Sequence, residues 1–274
     1  MQAGGGFSRA APAAGVSGAV IGPCVLWDEG SFLPERGTCL KIKVFNCQIN
    51  GQTGYDLCVL DAKATVRDYL DAVNEYIAEH CPPCGGCTDC CWERIPLTAQ
   101  DVAVYLRDGR MRRLLGAGRP GKSGGPPPLL LEFLKRFGRV YVDGPVVDIG
   151  LARGAGGACI FLDRERGRCS RYHLRPLVCQ TYICRPASRR AEELRGRLVN
   201  AGMDELVRRW LWESRRAGVR PPVHEARRPR PRLRDYRPGA FGGKDDYAQI
   251  HLRDVCPPGL WRELTSSSSI SCHH

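Results

Sequence analysis

Apolar and polar positions along the chain change period several times, and each change marks an element. LKIKVFNC (40 to 47) alternates, with Leu40, Ile42 and Val44 opposed to Lys41 and Lys43, and YDLCVL (55 to 60) alternates likewise through Tyr55, Leu57 and Val59. INGQTG between them supplies turn residues, so the pair predicts a hairpin. From Thr65 the period becomes helical: Val66, Tyr69, Leu70, Val73, Tyr76 and Ile77 recur on one face, and Thr65 with Asp68 occupies the two positions of a capping box. Thr98 and Asp101 repeat that signature ahead of a short helix through Leu97, Val102, Tyr105 and Leu106, closed by Gly109. RVYVDGPVVDIG predicts a hairpin turning at Asp143-Gly144, and ACIFLD (158 to 163) with RCSRY (168 to 172) a second one turning through RERG. SRRAEELRGRLVNAGMDELVRRWLWES reads as two helices broken near Gly202, and YAQIHLRDV with PPGLW as segments that pack back on the body.

These elements predict an α+β fold: an N-terminal ββα unit joined to a cysteine-rich domain with hairpins and C-terminal helices. Four divisions follow, namely a disordered Gly/Ala-rich leader over 1–38, the ββα unit over 39–80, a metal-bound cysteine cluster domain over 81–216, and an Arg/Pro-rich C-terminal extension over 217–274. The ββα opening resembles the start of a ubiquitin-like β-grasp fold over about forty residues. SSSSISCHH reads as a loose tail.

With 274 residues the chain can bury a core without disulfides, so its fifteen cysteines need another explanation. The opening MQAGGGFSRAAPAAGVSGAVIGP lacks a basic stretch followed by an apolar one, and no apolar run spans a bilayer, so a cytoplasmic, reducing setting is expected. Clustered thiols in that setting point to metal. CPPCGGCTDCC places Cys81, Cys84, Cys87, Cys90 and Cys91 within eleven positions, with Gly85 and Gly86 to let the backbone curl around an inorganic centre. A second set follows at Cys159, Cys169, Cys179 and Cys184. Repeated two-residue spacing is an iron–sulfur pattern, whereas zinc sites draw pairs from two distant loops. The compact run favours an iron–sulfur cluster of the 4Fe-4S kind, structural or electron-transferring, with a structural four-thiolate zinc site as the alternative. His80 and His173 flank the two sets as further candidate donors, and Arg175 is placed to offset the negative charge of a thiolate-ligated metal.

The cysteines resemble those of the YkgJ-type cysteine cluster family, described as zinc- or iron-chelating. The resemblance puts its first motif on Cys84, Cys87, Cys90 and Cys91, and its second on Cys159 with Ile160, Phe161 and Leu162, then Cys169, Tyr172, Arg175, Pro176, Cys179 and Cys184. Cys81 is an addition to that pattern. Flagellin lysine methylases carry a related cluster, so an S-adenosylmethionine-dependent protein lysine methylase is a further alternative by analogy. Turnover would need an acid or base beside the metal, for which Glu93, Asp163 and Tyr172 are candidates by proximity in sequence.

GAGRPGKS fits the phosphate-loop frame through Gly116, Gly121, Lys122 and Ser123, but SGGPPP follows where a helix would have to start, so nucleotide binding is not expected. The net charge of +12, mostly arginine, would attract nucleic acid, which enters as an alternative to a protein partner of unstated identity; no membrane partner is implied. Cys24, Cys39, Cys47, Cys58, Cys256 and Cys272 lack metal spacing, and packing accounts for Cys58 and Cys47.

Overall fold

A computed structural model describes residues 40–81, 87–116 and 128–266. The expected leader, Cys24, Cys39, Cys84, Gly85, Gly86, most of the phosphate-loop-like stretch with Lys122, and the tail with Cys272 lie outside the described residues.

The first elements among the described residues are strands β1 (Ile42–Ile49) and β2 (Gln52–Val59), paired antiparallel from Ile42 opposite Val59 to Ile49 opposite Gln52. The tight turn between them is Asn50-Gly51, and both residues have positive φ, 51° and 77°, as the two-residue turn that matches strand twist requires. Helix α1 (Val66–His80) follows, and its capping box is formed: Thr65 accepts from the Asp68 amide while Asp68 accepts from the Thr65 amide. The apolar face of α1 and the inward side of β2 share a first core with Leu194, Leu198, Phe241, Tyr247, Ile250 and Leu252.

A second core is built from helices α2 (Ala99–Arg107), α3 (Gly109–Leu114) and α4 (Leu129–Phe137) against the hairpin β3 (Gly138–Asp143) and β4 (Val146–Leu151). The hairpin turns at Asp143-Gly144, with Gly144 at φ 55°. The expected close of α2 at Gly109 is corrected: Asp108 ends α2 and its carboxylate accepts from the Met111 amide, so Gly109 opens α3 instead. Two-residue strands β5 (Leu162–Asp163) and β6 (Arg168–Cys169) form the small second hairpin, and a one-turn helix α5 (Leu177–Gln180) follows.

Helix α6 (Arg189–Arg216) joins the two cores. The expected break near Gly202 does not occur, and the helix runs unbroken for 28 residues. Gly202 is small because of packing: a Cβ there would stand 2.6 Å from the Thr98 Cβ and 3.0 Å from the Phe241 ring. The N-terminal half of α6 gives Ala191, Leu194 and Leu198 to the first core, and the C-terminal half gives Leu206, Val207 and Trp210 to the second. Strand β7 (Glu225–Arg227) then pairs parallel to β3, and short helices α7 (Leu252–Val255) and α8 (Pro258–Thr265) return to the first core through Leu252, Leu260 and Leu264.

Candidate metal centre

Three segments carry the thiols of the second core. The first is the short turn Asp89–Cys91, the second the loop and small hairpin holding Cys159 and Cys169, the third helix α5 with Cys179. A backbone ladder aligns the first two. Leu97 donates to the Ile149 carbonyl and Leu151 to that of Ile95, each at 2.9 Å; farther along, the Cys159 amide donates to the Cys91 carbonyl at 2.7 Å. Arg153 closes the arrangement by donating to the Trp92 carbonyl at 2.8 Å. Pairing across β5 and β6 sets Cys169 opposite Leu162, three residues from Cys159.

Cys179 is positioned by a group whose role the sequence pattern only partly disclosed. The buried Asp101 carboxylate accepts from the Leu177 amide at the start of α5 (2.8 Å), from the Tyr247 hydroxyl (2.6 Å) and from the Thr98 amide (2.9 Å). Its capping-box position was legible; its long-range grip on α5 was not. Burial raises the Asp101 carboxyl above the usual range, against the pull of those donors. At its other end α5 is held by Arg195, whose guanidinium donates to the Val178 carbonyl and the Thr181 hydroxyl.

The resulting neighbourhood is electrostatically tight. Cys91 is pushed up to about 12, first by burial and then by Cys90, Cys159 and Cys169. Cys159 is raised to about 11 by burial, with Cys169 and Cys90 adding to it. Burial and the same neighbours raise Cys179, and burial raises Cys169. Five thiols, on Cys90, Cys91, Cys159, Cys169 and Cys179, therefore sense one another, and Cys91, Cys159, Cys169 and Cys179 are not half-cystines. Bare, these groups hold their protons; a bound cation reverses that preference and releases them. Among the described residues no three His, Cys, Asp or Glu side chains close into a ready-made cation site.

The surroundings nevertheless fit thiolate ligation. The Phe161 amide donates to the Cys159 sulfur at 3.5 Å, and the Arg171 amide donates to Cys169. Arg175 and Arg171 pull the Cys169 pKa down, and Arg153 does so for Cys159. The Arg175 Cζ stands over the Tyr172 ring at 3.9 Å, the guanidinium donates to Asn74, and its buried Nε has no hydrogen-bond partner among the described residues. Amides that donate to sulfur, with arginine charge nearby, are what a negatively charged metal–thiolate centre requires around it.

A cavity of about 380 Å³ opens beside Cys90 and Cys179 and is lined also by Glu93, Tyr182, Glu192 and Arg195. Burial raises the Tyr182 hydroxyl, helped by exposed Cys184, Glu93 and Cys90. Cys87 is exposed just ahead of the turn. Cys81 ends α1 and packs on the first core, where it and Cys47 act on Tyr76. His80 stacks on Tyr76 at 4.7 Å, and His173 is exposed. Of the proposed acid–base candidates, Glu93 faces the cavity, Asp163 pairs with Arg166 and Tyr172 lies beneath Arg175.

Comparison with known families places residues 83–196 in a model named CxxCxxCC, described as a "putative zinc- or iron-chelating domain". The matched stretch takes in all three thiol-bearing segments and begins after Cys81. No curated protein and no solved structure matches the chain.

Proposed function

We propose, from the premise that residues 83–196 are a CxxCxxCC metal-chelating domain, that the chain holds an iron–sulfur centre of the 4Fe-4S kind in a structural or electron-transfer role. The four thiolates of such a cluster are drawn from the compact run Cys84, Cys87 and Cys90 and from Cys91, Cys159, Cys169 and Cys179 around the turn. The observation that carries this reading is the meeting of thiols from three segments under amide and guanidinium donors. The cavity beside Cys90 and Cys179 leaves that side of the centre within reach of solvent, which suits electron exchange better than a sealed strut. When bound, the cluster would supply a one-electron couple; the protein's part is to orient sulfur, exclude water at Cys159 and Cys169, and balance charge through Arg153, Arg171 and Arg175.

A four-thiolate zinc site is the second reading, favoured by one observation: Cys91, Cys159, Cys169 and Cys179 come from well-separated parts of the chain. Anaerobic purification followed by visible absorption and by iron, sulfide and zinc analysis separates the two. A brown protein with iron and acid-labile sulfide supports the cluster, and a colourless one with stoichiometric zinc replaces it. Loss of the metal in Cys179→Ser is expected in either case, and in Cys87→Ser only for the cluster; retention in both would remove these residues from the donor set.

A further inference from the structure

We propose that the arginine ridge following β7 is a binding surface for the phosphodiester backbone of single-stranded nucleic acid. Arg227, Arg228, Arg230, Arg232, Arg234 and Arg237 are all exposed. Among the described residues, none of their guanidiniums has an ion-pair or hydrogen-bond partner. The one glutamate in this stretch, Glu225, is already taken by Arg139 at 2.7 Å. Asp235 is the one carboxylate between Arg227 and Arg237, so the ridge carries six positive charges against one negative.

The backbone of this ridge is fixed, which distinguishes it from a solvated basic tail. β7 pairs with β3, Gly144 donates to the Arg227 carbonyl, and the Arg230 amide donates to the Gly144 carbonyl at 2.7 Å. Tyr236 anchors the far end by donating to the Pro145 carbonyl and accepting from the Val147 amide, both at 2.9 Å. Between these anchors Arg228 bends the chain with φ 45°, Pro229 and Pro231 restrict φ, and a single 3-10 turn spans Leu233–Asp235, so the arginines are carried on a bent but tethered backbone. Holding like charges close together on a tethered backbone costs self-repulsion that a bound polyanion relieves. A dense group of guanidinium forks suits the phosphates of a nucleic acid strand, each fork able to grip two oxygens.

The test is fluorescence anisotropy with the full chain and a labelled single-stranded DNA of mixed sequence, about 20 nucleotides long, across about 50 to 200 mM salt. Six phosphate contacts predict a slope of log K against log salt near about −4, and Arg228→Gln, Arg230→Gln, Arg232→Gln and Arg234→Gln together should remove about 3 of it. A control of equal charge loss elsewhere, Arg110→Gln, Arg113→Gln, Arg253→Gln and Arg262→Gln, should leave the slope within about 1 of the wild type. Far-ultraviolet circular dichroism checks that each variant folds. If the ridge variant does not fold, the pairs Arg228→Gln with Arg230→Gln and Arg232→Gln with Arg234→Gln should each remove about half the loss. Absence of binding at the lowest salt, or an equal fall in the control, overturns the proposal. Displacement of the DNA by polyglutamate at equal charge concentration would also overturn it, in favour of an acidic polypeptide.

Discussion

Gly150 joins the metal centre to the stability of the second core, and filling its side-chain space should damage both. It lies in β4 opposite Pro96, at the rung of the ladder that leads from Ile95 toward Cys91. A Cβ on Gly150 would stand 2.9 Å from the Ile95 carbonyl oxygen and 3.5 Å from its carbon. Both atoms are backbone, so relief requires β4 and the 95–97 segment to part by about half an ångström, which ordinary side-chain repacking does not provide. The flanking bonds, Leu97 to Ile149 and Leu151 to Ile95, lengthen together. Overpacking contributes about 1–3 kcal/mol and a weakened hydrogen bond about 1 kcal/mol more, against about 0.5 kcal/mol returned by the stiffer unfolded chain. Gly150→Ala should therefore destabilise by about 2–3 kcal/mol, lowering Tm by about 4–12 °C for a chain of this size. The displacement also separates Cys91 from Cys159, so metal content per chain should fall. Thermal unfolding by circular dichroism and metal analysis of the same preparation make the measurement. Gly259→Ala, where a Cβ meets nothing within 4 Å, is the control and should be neutral or slightly stabilising. A Gly150→Ala protein with unchanged Tm and full metal content would show that the ladder does not position the thiols.

Two further outcomes rest on buried charge. Arg190, at the start of α6, grips Asp56 of β2 through Nε and Nη2, both at 2.8 Å, while Ser188 and the Leu57 amide complete the carboxylate's bonds. Asp56→Ala or Arg190→Ala alone should cost about 3–5 kcal/mol by urea unfolding, because each strands its partner, whereas Asp56→Leu with Arg190→Met should recover part of that loss; single-variant losses below about 1 kcal/mol would refute it. Burial opposes ionisation of Glu205, but Arg208 (2.7 Å) and Arg209 (2.8 Å) outweigh it and hold the carboxyl below its usual range. A depressed folded pKa gives stability that is full above the unfolded value near about 4.3 and is lost as pH falls through the folded one. The stability gap between wild type and Glu205→Gln should thus be level at neutral pH and shrink on acidification below that range; urea midpoints across the acid limb would refute this by showing a constant or widening gap.

How much of this was legible beforehand depended on the range of the interaction. The Asp143-Gly144 turn and the Thr65/Asp68 and Thr98/Asp101 pairs each act within four residues and formed as the sequence implies, and the turn expected within INGQTG narrows to Asn50-Gly51. Gly202 was misread because a glycine in a helical pattern suggests a break by propensity, while its actual cause is the Thr98 side chain about a hundred positions away. Helix α4 went unnoticed because LLLEFLKRF follows a proline-rich stretch that masks its start, and its initial residue is preceded by Pro128 without a side-chain cap. At the metal centre the cysteine spacing disclosed a site but not its membership. Nothing periodic along the chain connects Cys91 to Cys159, or says that Cys81 would pack on the first core beside Tyr76.

The arrangement of α6 explains why the centre and the fold should respond as a unit. Its N-terminal half is tied to the first core by Arg190 and Asp56, and its C-terminal half buries Trp210 in the second. Between them Arg195 holds the end of α5, and with it the Cys179 helix, while Gly202 lets the N-cap of α2 approach closely enough for Asp101 to reach the Leu177 amide. Cys179 is thus fastened from both ends by residues that belong to the packing of the two cores. Metal binding at such a site draws free energy from, and returns it to, the packing of both cores. Added metal should therefore raise the unfolding midpoint of the wild type, and should do so less in Asp101→Asn, whose α5 anchor is weakened, than in Glu205→Gln, whose defect lies away from the thiols. An equal gain in both variants would mean that Asp101 contributes to folding without positioning Cys179.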